Sequence, residues 1–200
     1  MSSARRAIRV AVVGHVEWVQ FARVGEIPRA GQIVNAQGDF EEPAGGGAVA
    51  AVQLARIAGE ALLITALGQD EQGRKSQARL EELGVRVCAA PRRAPTRRAL
   101  TLLDARGERV ITTFGERLQP SICDQQLPWG QLAQMDGVYF TAGDAGALQA
   151  ARAARTLVCT PRAGDVLGGG VQLDALVLSA GDALECRQAA QLSGAAHLVV

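Results

Sequence analysis

Two hundred residues are enough for one domain with a sizeable core. The 21 basic and 20 acidic residues leave a net charge of +1, so the chain lacks the basic field that neutralises a phosphate backbone, which argues against nucleic acid as the main partner. No apolar run approaches the roughly 20 residues of a membrane span, so no membrane partner is expected.

The N-terminal "MSSARRAIRVAVVGHV" carries a short apolar run broken by Arg9 and no small-residue cleavage pattern, and a cytoplasmic protein is expected. Of the basic residues only Lys75 is a lysine, which leaves few candidates for lysine chemistry. Cys88, Cys123, Cys159 and Cys186 never form a Cys-x-x-Cys pair, so they read as buried reduced thiols and not as a zinc or redox motif.

In chain order, residues 8–14 (IRVAVVG) form a β-branched run closed by glycine, as a buried strand before a turn would be. Pro28 and Gly31 mark a turn, and residues 32–40 (QIVNAQGDF) have the half-polar pattern of an exposed strand. Residues 48–57 are helical by composition, with Val49, Val52, Ala55 and Ala58 on one face. A strand is expected at 61–68 (ALLITALG), then a polar turn and a helix to residue 83 with Lys75, Arg79 and Glu82 outward. Residues 96–114 read as a β-hairpin turning at 104–107 (DARG). The alternation then resumes: strand 137–143, helix 144–155, strands 156–161 and 173–179, helix 180–194, and a buried strand beginning at 196. Such alternation implies a mostly parallel sheet covered on both faces, with the stretch near residue 35 and the hairpin forming a small separate β-layer.

Three consecutive glycines, Gly45, Gly46 and Gly47, run straight into the first helix, so a ligand or a piece of backbone must come close there. Gly45-x-Gly47-x-x-Ala50 satisfies a loose dinucleotide fingerprint, but that motif needs a buried strand before it, and here the preceding "GDFEEP" is acidic and closed by proline. Gly68 to Ser76 imitates a phosphate loop with one residue too many. Its Asp70 and Glu71 would set negative charge against phosphates, so a solvated turn capping a helix, with Asp70 near the positive end, is expected instead. His15 and His197 have no serine, cysteine or carboxylate arranged around them by spacing. His15 does sit at the end of the first strand, where open sheets place ligands, although a structural role is favoured. Glu17 and Trp18 follow in the same loop, a carboxylate and an indole that together could grip a hydroxylated ligand or could simply be solvated and packed.

Taken together, "VAVVGHVEWV", "PAGGGAVAAVQLARIAG", "LGQDEQG", "TRRALTLLDARGERVI" and "VCTPRAG" resemble, in order and spacing, the ribokinase-like (PfkB) carbohydrate kinase family, over essentially the whole chain. The resemblance implies an α/β three-layer ribokinase-like fold, with a small β-sheet lid built from about 16–42 and 96–115. It implies ATP-dependent phosphotransfer, with Mg2+, to an alcohol group of a sugar or related small molecule, and a lid whose exposed strands could pair in a homodimer. Gly45, Gly46 and Gly47 would lie against a sugar or nucleoside-like substrate, with Glu17, Trp18 and Val49 nearby. Ser179-x-x-Asp182 would stand for the family's Asn-x-x-Glu, leaving Asp182 in the magnesium environment.

Departures accompany it. Val49 stands where the family commonly has asparagine, Val19 where it has aspartate, and Glu17 where it has asparagine. The Gly-Ala-Gly-Asp signature that carries the catalytic base is absent, and the Ala-Gly-Asp triplets beginning at Ala142, Ala163 and Ala180 lie at the wrong places in the strand order to replace it. No catalytic residue is therefore assigned in this chain. Because the sequence stops within an apparent core strand, a piece of a single-domain kinase is the favoured expectation. The alternatives are a non-catalytic binding or regulatory relative that kept the lid and glycine loop and, more remotely, a nicotinamide-dependent dehydrogenase.

Overall fold

In the computed structural model, which describes residues 8–200, the β-branched runs become strands of one sheet. The basic stretch 1–7 lies outside the described residues. In chain order the elements are β1 (Val10–Val13), β2 (Glu17–Arg23), β3 (Gly38–Ala44), α1 (Gly45–Ala58), β4 (Ala61–Gly68), α2 (Glu71–Glu82), β5 (Val85–Arg92), β6 (Arg98–Leu103) and β7 (Arg109–Phe114). They continue with β8 (Gly137–Phe140), α3 (Ala145–Ala151), β9 (Leu157–Cys159), β10 (Leu173–Leu176), α4 (Ala183–Leu192) and β11 (Ala196–Val199).

Seven strands pair in the order β11-β10-β9-β8-β1-β4-β5, every pair parallel. β1 is an inner strand, with Val12 opposite Leu63 on one side and Tyr139 on the other. All eight residues of β4 are buried, as expected of a parallel strand covered on both faces. The pleat divides the apolar residues into two cores. Val12 and Leu63 pack with Ala48, Ala51 and Val52 of α1 and Leu80 of α2. Val13, Ile64 and Phe140 pack on the other face with Leu148 of α3 and Leu132.

The smaller sheet has the order β3-β2-β6-β7. β2 runs antiparallel to β3 but parallel to β6, and β6 and β7 form the expected hairpin. Phe21 and Phe40 stack across β2 and β3 with centroids 4.8 Å apart. The Arg79 guanidinium of α2 reaches Glu42 of β3 at 2.8 Å and ties this sheet to the main body.

Several expectations need correction. Glu17 and Trp18 begin a strand, residues 17–23, and do not lie in a loop, and residues 32–37 are irregular, with the strand at 38–44 instead. Pairing with two neighbours makes β2 a strand despite its mixed sequence. The first helix begins at Gly45, and its buried stripe is Gly47, Ala48, Ala51, Val52 and Ala55; Val49 is half exposed, so the stripe is rotated from the one the sequence suggested. The third helix stops at Ala151, short of residue 155. β11 is mostly exposed, because it is paired on one side by β10 and lies at the sheet margin. Of the cysteines, all of them free, Cys159 is buried, Cys88 and Cys186 are half-buried, and Cys123 is exposed.

Candidate functional site

Strands of a parallel sheet deliver their loops to one edge, and a crevice outside the carboxyl ends is where such sheets hold ligands. Gly14 and His15 follow β1 at that edge, Thr141 follows β8, and Thr160 and Arg162 follow β9. The glycine run meets them there. Gly45 turns with φ of 85°, and α1 starts at once. A Cβ on Gly47 would stand 2.7 Å from the His15 carbonyl oxygen and 2.8 Å from the Gly14 carbonyl carbon. A Cβ on Gly14 would stand 2.2 Å from Thr141 Oγ1. The close approach that the glycines permit is thus, first, that of the β1 loop onto the helix start. The Gly47 N–H donates to the His15 carbonyl oxygen at 3.0 Å and the Gly46 N–H to His15 Nε2 at 3.3 Å, so His15 satisfies two of the donors a helix N-terminus leaves over. With these donors engaged, and an exposed strand of the smaller sheet leading into the helix, the geometry departs from that of a dinucleotide fingerprint.

Accepting from Gly46 fixes His15 as the neutral tautomer with its proton on Nδ1. Burial first, then the guanidiniums of Arg117, Arg97 and Arg162, lower its pKa to about 3. Its 3.7 Å contact with Glu17 Oε1 is therefore not an ion pair in the neutral range. Glu17, at the start of β2, is itself buried and pairs with Arg97 Nη1 at 3.1 Å. Burial pushes the Glu17 carboxyl up against the opposing pull of Arg97 and Arg117. His15 Nδ1, Thr141 Oγ1 and Arg97 Nε are buried without a hydrogen-bond partner among the described residues.

The segment carrying Arg97 is held by the Gly68-x-Asp70-x-x-Gly73 motif. Asp70 caps α2 by accepting from the Gly73 N–H at 2.8 Å, as the sequence suggested, and it also accepts from the Thr96 N–H and Oγ1–H at 2.8 and 2.7 Å. These bonds outweigh its burial and hold the Asp70 carboxyl below its usual range. Thr96 Oγ1 in turn accepts from the Gly68 N–H at 3.0 Å. Both glycines are required by space, since a Cβ on Gly68 would lie 2.4 Å from Thr96 N and one on Gly73 2.2 Å from Gly68 O.

The other expected residues are spread differently. Strand alternation turns Trp18 to the opposite face from Glu17, where Lys75 Nζ lies 5.9 Å from its ring, so the carboxylate and the indole do not meet. Val49 is on the half-exposed side of α1. Asp182 accepts from the Leu184 and Glu185 N–H groups and pairs with Arg162 at 2.8 Å. Among the described residues no group of three or more His, Cys, Asp or Glu could hold a metal ion. The sequence reading missed Glu185, which is buried, accepts from the Ser179 N–H at 2.7 Å and also pairs with Arg162. It also missed Arg97, Arg117 and Thr141, whose convergence leaves no local spacing signal.

A parallel seven-strand α/β body with a glycine-rich helix start at its carboxyl edge, together with a small mixed sheet of strands distant in sequence, defines the class of the fold. The chain belongs to the pfkB family of carbohydrate kinases, whose family model matches residues 7–159. The structure is similar to that of ribokinase from Giardia lamblia, at 17% identity and a TM-score of 0.72, over 96% of this chain and 68% of that one. It is similar to Arabidopsis thaliana ribokinase complexed with ribose and ATP (15%, TM-score 0.62, 96% of this chain and 72% of that one). It is also similar to Escherichia coli phosphofructokinase-2 in complex with fructose-6-phosphate (16%, TM-score 0.65, 97% and 74%). Across such neighbours the chain spans from 58% to 74% of the other protein's length. No curated protein sequence matches it. The fold is thus ribokinase-like, as the sequence pattern implied.

Proposed function

We propose that this chain is the substrate-binding portion of a single-domain cytoplasmic kinase that transfers phosphate from ATP to an alcohol group of a sugar or nucleoside-like small molecule. The observation that carries the reading is the meeting of Gly45, Gly46 and Gly47 with His15 and Glu17 at the carboxyl edge, beneath the smaller sheet. Glu17 and the glycines are proposed on the substrate side, whereas Trp18, turned toward Lys75, and Val49, on the half-exposed side of α1, lie away from that group. His15 fixes the loop that faces the substrate, and its imidazole remains neutral there. The smaller sheet is proposed as a lid that excludes water, so that the transferable phosphate meets a substrate hydroxyl instead. A homodimer through the lid would cover its exposed strands.

Nucleotide and Mg2+ would supply the phosphoryl group and the charge neutralisation that such transfer needs. Asp182 fits poorly as a direct metal ligand, because its carboxylate faces the Arg162 guanidinium and caps α4. The second reading, a binding or regulatory relative, is favoured by Val19, which is buried and apolar where the family commonly has aspartate.

The test is an ATP-consumption assay on this chain and on the full reading frame of its gene, against a panel of sugars and nucleosides. Turnover with the full reading frame and not with this chain alone is the expected result. Absence of turnover in both, with a sugar still raising the melting temperature, would favour the binding relative and sink phosphotransfer.

A further inference from the structure

The β6–β7 hairpin brings two arginines from its opposite ends to one place. Arg97 precedes β6 and Arg117 follows β7 by a few residues, while Arg98 and Phe114 pair at the hairpin base. Arg97 Nη2 donates to Thr113 Oγ1 at 2.7 Å, and Arg117 Nη1 donates to the Arg162 carbonyl oxygen at 3.2 Å. Arg97 Nη1 lies 3.1 Å from Glu17 Oε1, which is itself 3.7 Å from His15 Nε2 beside the glycine-rich turn, and the Arg117 charge also acts on both groups.

Their charges are incompletely matched. Arg162, the third guanidinium near His15, is committed to Asp182 and Glu185. Glu17 alone remains for Arg97 and Arg117, and it contacts Arg97. Among the described residues Arg117 forms no ion pair, and Arg97 Nε is buried without an acceptor. Two partly buried guanidiniums beside each other disfavour their own charged forms, and burial followed by the Arg97 charge pulls the Arg117 pKa down. A group that relieved this would be negative, and small enough to reach both forks, as a carboxylate or phosphate is.

We infer that the substrate held at this site carries an anionic group, a carboxylate or a phosphate, which Arg97 and Arg117 grip at the base of the β6–β7 hairpin while the rest of the molecule lies toward the glycine-rich turn. This rests on the reading that the crevice is the substrate site, but it does not depend on phosphotransfer.

The test is calorimetric binding to this chain without nucleotide, at low salt, in matched pairs: fructose 6-phosphate against fructose, and gluconate against glucose. Inorganic phosphate and acetate serve as bare anions, and ATP alone as a further ligand. The anionic member of at least one pair should bind roughly tenfold or more tightly than its neutral partner, the scale of a charge-assisted hydrogen bond. Preference in the first pair assigns phosphate and preference in the second assigns carboxylate. Arg117→Gln should abolish the preference at unchanged melting temperature, and Arg117→Lys should retain part of it. Equal binding within both pairs, no binding by any anion, or a preference that survives both Arg117→Gln and Arg97→Gln would overturn the inference. So would Arg117-dependent binding of ATP but of no sugar anion. Anion preference without ATP turnover in the full reading frame would instead keep this inference and sink the kinase reading.

Discussion

Acidification from about pH 7.5 to about pH 5 should cost the folded chain about 2 kcal/mol through His15 alone. The imidazole has a folded pKa of about 3 against an ordinary 6.5, because burial and three guanidiniums oppose its charge. In the folded chain it stays neutral across that range, whereas the unfolded chain takes up a proton as the pH falls below the ordinary value. The unfolded state binds more protons, so stability is complete above about 6.5 and declines progressively toward about 3. At about pH 5 the unfolded state has gained one and a half pH units of protonation, about 2 kcal/mol at about 1.4 kcal/mol per unit. Urea unfolding at both pH values, for the native chain and for His15→Gln, isolates the effect. Glutamine can still accept from the Gly46 N–H but does not titrate, and the remaining carboxylates and His197 cancel in the difference. An equal pH-dependent loss in the two proteins would refute the reasoning.

Gly47→Ala should lower stability by about 1–3 kcal/mol, because the new methyl meets the backbone of Gly14 and His15, which cannot rotate aside; thermal unfolding measures it, and an unchanged melting temperature would show that the loop yields. Asp70→Asn should cost about 2–3 kcal/mol, since its carboxylate accepts from Gly73 and twice from Thr96. Hydrogen exchange at the Thr96 N–H should quicken with it, and the native carboxylate should lose its contribution as the pH falls through its lowered pKa.

The parts of the fold that were plain in the sequence are those whose burial is complete or whose local chemistry is strong. β4 is apolar at every position from Ala61 to Leu67 except Thr65 because both its faces are covered, and Asp70 followed by Gly73 marks a helix start through a bond made within four residues. β2 was hidden because its residues alternate between the Glu17 side and the Trp18 side without an apolar run, and it exists as a strand through β3 and β6. The candidate site divides in the same way. The glycine run, His15 and Glu17 lie near one another in sequence and were singled out. The charges of Arg97, Arg117 and Arg162 act on His15 from the hairpin and the loop after β9, an arrangement that depends on tertiary topology and has no periodicity to read.

The parallel pairing of β2 with β6 means that the smaller sheet has no single genetic address. Its halves come from stretches separated by α1, β4, α2 and β5. It cannot be lifted out or grafted as a cassette in the way a lone hairpin could. Removing residues 96–115 would strip β2 of a neighbour along its length and leave a bare strand edge of the kind that recruits other chains. The same arrangement delays its assembly: the β6–β7 hairpin can close locally, but it has no sheet to join until the first two βα units have brought β2 alongside.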